Sequence, residues 1–209
     1  MNLDFLLNNL AFIIIPFIYI SIFMIGKYIV KYQFHFIALA FILSFVFYLI
    51  GGQFLEWTVF SGHFSLALFI LVMLAGVMKK NGIYRSVIDP VRGDLSLYGF
   101  IYLLPHIFSR FDMYISGFNP IGSIAYLLMI PLLVTSIRNV KKNIETEKWQ
   151  EMHKLGYLVY FLIYIHVGFR ININNFEVTI LEISWPFHLT LIVYVIIKLL
   201  NRLKLIKLK

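Results

Sequence analysis

Seven apolar stretches of this sequence stand out, and six of them carry no charged side chain: Phe5–Gly26, Tyr32–Phe54, Trp57–Met78, Leu95–Ser109, Met113–Ile137 and Leu155–Phe169. A seventh, Ile183–Leu200, is interrupted only by Lys198, whose stem can carry its ammonium back to an interface. About 20 apolar residues cross the hydrocarbon of a bilayer as a helix. None of the runs alternates with period two, so membrane-spanning strands are not expected. With 61% of its 209 residues hydrophobic and 13% charged, a soluble domain of this size could not bury its apolar surface. The expected fold is an all-α membrane protein, a seven-helix transmembrane bundle. Asn8, Asn9 and Pro16 interrupt the first run, but proline is tolerated in membrane helices. That run is too long for a signal peptide and lacks a basic leader, so it reads as an anchor. The fifth helix is expected to start near Pro120.

The basic residues orient the bundle. Lys27 and Lys31 follow the first run, Lys79, Lys80, Arg85 and Arg92 the third, and Arg138, Lys141, Lys142, Lys148 and Lys154 the fifth. Lys198, Arg202, Lys204, Lys207 and Lys209 lie at the C-terminal end. Sixteen of the 18 Lys and Arg residues therefore share one side, and only Arg110 and Arg170 fall on the other. The positive-inside rule then puts the N-terminus outside and the C-terminus in the cytoplasm. The net charge of +8 belongs to topology and anionic lipid, and no nucleic-acid partner is expected. With no cysteine, disulfides, iron–sulfur clusters, covalent haem and thiol nucleophiles are excluded. No Gly-rich phosphate loop is present, so any nicotinamide site belongs to another protein.

Histidine is costly inside a bilayer, which makes intramembrane imidazoles candidate site residues. His106 lies 11 residues past Leu95, and His166 lies 11 residues past Leu155. Both runs rise from the inside, so both imidazoles sit about 16 Å up. Each is followed four residues later by an arginine, Arg110 and Arg170, which on a helix shares its histidine's face. Two imidazoles at one depth, without cysteine or a nearby carboxylate, suit the two axial positions of a haem iron. The arginines would face its propionates. Gly99, seven residues before His106, would leave room for a porphyrin. Pro105 frees a backbone carbonyl one turn earlier. The plainer alternative is that the histidines hydrogen-bond between helices and the arginines anchor at the interface.

His153 precedes His166 by 13 residues, about 20 Å lower and about 140° round an ideal helix. A shared face would need a bulge or a 3₁₀ turn. A second haem held by His153, alone or with His35, is the weaker expectation. His63 and His188, at the outer ends of the third and seventh runs, read as mostly structural.

Several of these residues carry a resemblance. Ser61-Gly62, Leu95–His106, Thr135-Ser136 and the Trp149-x-x-x-His153 … His166 run are similar to the ferric-reductase-like transmembrane domain family. The likeness is greatest to its MsrQ branch, haem-binding membrane subunits of methionine-sulfoxide reductase systems. It covers about residues 57–200. Taken with the charge-free runs, the expected organisation is two N-terminal helices over 1–56, one span more than the MsrQ branch has, a haem-binding domain over 57–203 and a basic cytoplasmic tail over 204–209. The resemblance implies b-type haem, electron transfer across the membrane, and ligand histidines at His106, His153 and His166. Larger members place two histidines on each of two helices, whereas the fourth run here has one.

The expected protein is thus a multi-pass protein of a bacterial plasma membrane holding one or two haem b, with FMN admitted as a further cofactor. It would take electrons from a cytoplasmic or membrane donor (a flavin, a flavoprotein or a quinol). It would pass them to an extracytoplasmic redox protein or to ferric iron. A transporter would carry acidic groups at mid-membrane or repeated halves. All ten acidic residues lie outside the charge-free runs, and no repeat is visible. A non-catalytic anchor or assembly subunit is the other rival.

Overall fold

The structure is a computed structural model that describes residue 7 and residues 9–116, 120–172, 177–180 and 185–203. The side chains at 170–172, 177–180, 185 and 202 lie outside that description, as does the whole of the 204–209 tail. Among the described residues the chain is helical apart from one two-stranded hairpin.

The first helix, α1, spans Leu10–Lys31 and includes Lys27 and Lys31. Lysine is a good helix former and favours the C-terminal turn, so the charges that mark the end of the apolar run do not end the helix. Tyr32 alone separates α1 from α2, Gln33–Ile50. The buried residues of α2 are Gln33, Ala40 and Ser44, a single stripe at spacings of seven and four. Small residues on such a stripe let helix backbones approach closely. Large apolar side chains on both helices, such as Phe17, Phe23, Phe45 and Leu49, stay exposed, as expected of helices whose surroundings are apolar.

Gly51 and Gly52, both at positive φ, turn the chain into α3, Gln53–Leu55, which continues as a π-helical turn over Glu56–Phe60. Gly62, at φ +81°, breaks this helix from α4, His63–Ala75. After α5, Ile83–Ile88, and a 3₁₀ turn at Asp89–Val91, α6 runs over Arg92–Ser109. Then come α7, Phe111–Ile115, α8, Ile121–Val134, α9, Arg138–Lys141, α10, Thr146–His153, and α11, Leu155–Gly168. The strands β1, Phe169–Asn172, and β2, Glu177–Ile180, pair antiparallel with Phe169 opposite Ile180. The last helix is α12, Trp185–Arg202.

Among the described residues, three stretches are long and apolar enough to cross a membrane: Leu10–Lys31, Gln33–Ile50 and Gln53–Ala75. At 14 residues each, α8 and α11 are about 21 Å long, short of the roughly 30 Å hydrocarbon. Lys154 stays in the helical region between α10 and α11, so those two run on almost without interruption.

The chain forms two compact units, one of residues 1–106 and 184–209 and one of 107–183. In the first, α1 and α2 share a core with α4, α5 and α6, centred on Leu71, Ile88, Leu95 and Ile101. Two buried polar bonds fasten α2 to α6. Gln33 Nε2 donates to Asp94 Oδ1 at 2.5 Å, and Ser44 Oγ donates to the Ile101 carbonyl at 2.9 Å. In the second unit, α8 and α11 pack along each other, with Ala125, Met129, Leu133 and Val159 buried.

Candidate functional site

His106 stands near the end of α6, half-buried, and its geometry follows from the break at Gly62. A helix end leaves carbonyls without intrahelical partners. Here the Val59 carbonyl takes the Gly62 N–H at 3.0 Å, and the Phe60 carbonyl takes His106 Nδ1 at 2.6 Å. A carbonyl only accepts, so the proton is on Nδ1 and the lone pair of a neutral ring is on Nε2. Gly62 lies against the ring, and a Cβ there would make an ordinary 3.7 Å contact with His106 Nδ1, so it is the positive φ that calls for glycine. Metal-ligating histidines generally donate their other ring N–H to a carbonyl or carboxylate. His106 therefore fits an axial haem ligand.

The residue before it is part of the same arrangement. Pro105 has no N–H, so the Ile101 carbonyl loses its i+4 donor. Ser44 of α2 supplies the missing bond. Gly99 does not leave an open space. A Cβ there would lie 2.9 Å from Phe69 Cε1, so the ring of Phe69 occupies the room that the glycine provides.

His166 lies in α11, in the second unit, and presses on Gly122 of α8. A Cβ at Gly122 would come 2.5 Å from His166 Cε1 and 2.6 Å from Nδ1. Only glycine can stand there without displacing the imidazole, which gives the ring a fitted cradle. The expected face-sharing of each arginine with its histidine does not hold. Helix α6 ends at Ser109, and Arg110 sits outside it at φ −115°, ψ 12°. Helix α11 ends at Gly168, and Phe169 is already extended at φ −135°, ψ 136°. Arg170 is therefore a β1 residue, and its side chain lies outside the described residues. Both arginines follow a helix end, so the four-residue helical spacing does not apply. Around Arg110, burial pushes the Tyr114 hydroxyl up and the guanidinium opposes that shift.

His153 is placed differently. Its Nε2 lies 3.1 Å from Thr135 Oγ1, and that hydroxyl donates to the Pro131 carbonyl at 2.8 Å. A hydroxyl has one proton to give, so His153 Nε2 must be the donor to it. Trp149 stacks on His153 with centroids 3.9 Å apart and donates Nε1–H to the Thr135 carbonyl at 3.0 Å. Lys141 Nζ sits 4.2 Å over the Trp149 ring. His153 thus belongs to a polar cluster at the start of the helix, and iron ligation through Nε2 would require the Thr135 bond to break. Bonds of the i+3 type at Lys154, from Lys154 N to Glu151 O and from Tyr157 N to Lys154 O, tighten the helix between His153 and His166. The ideal-helix angle between the two does not apply across that turn.

The sequence reads His63 as mostly structural, and the structure gives its ring defined partners. Its Nδ1 lies 2.9 Å from the Trp57 carbonyl and 2.7 Å from Ser61 Oγ. His35 is exposed and meets Tyr32 edge-on, and His188 lies in α12. Among the described residues, no three or more His, Asp or Glu side chains gather as a metal-ion site.

Fold and site together define a helical membrane protein whose half-buried histidines are oriented by helix ends. No family model matches the chain, and no solved structure does. It is 31% identical over 123 residues to an uncharacterized protein of Treponema pallidum, a match covering 52% of this chain and 34% of that one. It is 26% identical over 124 residues to the magnetosome protein MamZ of Paramagnetospirillum magneticum, covering 52% and 19%. MamZ of Magnetospirillum gryphiswaldense matches at 26% over 123 residues, 53% of this chain and 19% of the relative. The chain therefore spans about a third of the first relative's length and about a fifth of the MamZ proteins.

Proposed function

We propose that this chain is a multi-pass haem protein of a bacterial plasma membrane that passes electrons outward. In this reading seven helices cross the bilayer, with the N-terminus outside. His106 and His166 are ligands of b-type haem, and Arg110 and Arg170 belong to the outer side. The observation that carries the reading is the bond from His106 Nδ1 to the Phe60 carbonyl at 2.6 Å. It assigns the tautomer, fixes the ring plane and raises the basicity of Nε2. The Gly122 cradle does the steric part of the same task for His166. Bound haem would supply a reversible one-electron iron couple. The chain's own contribution is to orient the imidazoles and to keep the surroundings apolar, which sets the potential.

The donor is a cytoplasmic flavin or flavoprotein, or a membrane quinol. The acceptor is an outer redox protein or ferric iron. His153, held by Thr135 and Trp149, is a positioning residue at the donor side. The break at Gly62 also gives a transporter reading some support, because transporters expose broken helix ends to ions. Here the Phe60 and Trp57 carbonyls at the break are already taken by imidazoles.

The test is electron transfer in proteoliposomes with reduced flavin entrapped and a ferric chelate outside. Protein-dependent reduction of the outer chelate is expected, and it should be lost with His106→Gln. Haem-loaded vesicles that transfer no electrons above the lipid background would overturn the reading.

A further inference from the structure

The break at Gly62 orients two imidazoles, and only His106 has been given a role. His63 opens α4 on the other side of the same break. The carbonyls that receive the two rings, Trp57 and Phe60, are three residues apart on one turn. Trp57 O already accepts the Ser61 hydroxyl at 2.6 Å. The His63 bond is therefore not needed to satisfy that carbonyl; its effect is to hold the ring. All the hydrogen bonds of His63 fall on Nδ1, and its Nε2 has no hydrogen-bond partner among the described residues. The neutral tautomer that donates to Trp57 O carries its lone pair on Nε2. This is the same carbonyl-backed arrangement found at His106 and the one metal-ligating histidines use. His153, by contrast, spends Nε2 on Thr135.

We propose that His63 is a second imidazole ligand at this break, coordinating a transition-metal centre through Nε2. Imidazole suits iron, copper, nickel and zinc alike. The centre is therefore either the iron of a haem other than one whose two axial positions His106 and His166 fill, or a free transition-metal ion, and the test separates the two. The haem source rests on the function proposed above; the free-ion source does not.

The variant to make is His63→Asn. Its amide N–H can replace Nδ1–H at the Trp57 carbonyl, while nothing replaces Nε2. Purified full-length protein is compared in nanodiscs, with and without haem. In haem-free protein, cupric ion is titrated and followed by electron paramagnetic resonance. Binding with nitrogen hyperfine structure, weakened about tenfold or more by His63→Asn, supports the free-ion source. In haem-loaded protein, loss of haem or a change from low to high spin in His63→Asn supports the haem source. If His63→Asn leaves both cupric affinity and the haem spectrum unchanged, the assignment is wrong.

A second measurement needs no variant. In the wild type, carbethoxylation of His63, read by mass spectrometry, should slow when the centre is filled with haem or cupric ion. An unchanged rate with both overturns the proposal. A protein that takes no haem yet binds cupric ion through His63 would sink the haem reading and leave this inference standing. Haem bound through His106 with no effect at His63 would do the reverse.

Discussion

Replacing Ser44 with alanine removes one hydroxyl, and its cost depends on a proline 61 residues away in sequence. Ser44 Oγ donates to the Ile101 carbonyl at 2.9 Å, and both residues are 2% exposed. In an ordinary helix that carbonyl would accept the N–H of residue 105, but Pro105 has none. Ser44→Ala therefore leaves a buried carbonyl without a donor and out of reach of water. Desolvating such a group costs about 1–3 kcal/mol. Interhelical hydrogen bonds in membranes average about 0.6 and reach about 1.7 kcal/mol. Together these bracket an expected loss of about 1–2 kcal/mol. The assay is reversible unfolding in mixed micelles for the wild type, Ser44→Ala, Pro105→Ala and the double variant. Pro105→Ala restores the helical donor, so Ser44→Ala should cost much less in that background, with a coupling of at least about 0.5 kcal/mol. Equal costs in the two backgrounds would refute the argument that the serine compensates for the proline.

Two further outcomes follow from the same structure. Gly122→Ala places a Cβ where the His166 ring now lies; it should destabilise the α8–α11 pair by about 1–3 kcal/mol and lower haem per chain, and a stable variant with unaltered haem content would show that the cradle is unimportant. The chain has no cysteine, so single cysteines report topology directly. Asp112→Cys should react with an impermeant maleimide in intact cells and Lys142→Cys only after permeabilisation, and the reverse pattern would invert the orientation.

How much of this was legible in the sequence varies with the range of the interaction. The charge-free runs located the helices well, because burial in hydrocarbon acts residue by residue. They ended the first run at Gly26, five residues short of the end of α1 at Lys31, since Lys27 interrupts the apolar run without ending the helix. Pro105 announces an orphaned carbonyl at Ile101, but Ser44 as its donor is a tertiary fact. The Ser61-Gly62 pair is a readable helix breaker, and a histidine directly after it could have pointed to His63. The arginine argument extended α6 by one residue and α11 by two beyond their ends. Gly168 closes α11 into a hairpin, a local stop that outweighed the four-residue spacing. Gly99 was read as room for a ligand, yet a glycine in a packed helix equally admits a neighbouring ring, here Phe69. His153 was singled out by sequence, but its commitment to Thr135 is visible only once α8 and α10 are folded.

The central claim is that His106 and His166 hold haem. The most direct measurement is the reduced-minus-oxidised spectrum, with haem per chain, of protein expressed with ample haem, for the wild type, His106→Gln and His166→Ala. The account predicts a b-type spectrum in the wild type that is lost or sharply weakened in both variants. A wild type without haem, or variants that keep a full complement with an unaltered spectrum, would contradict it.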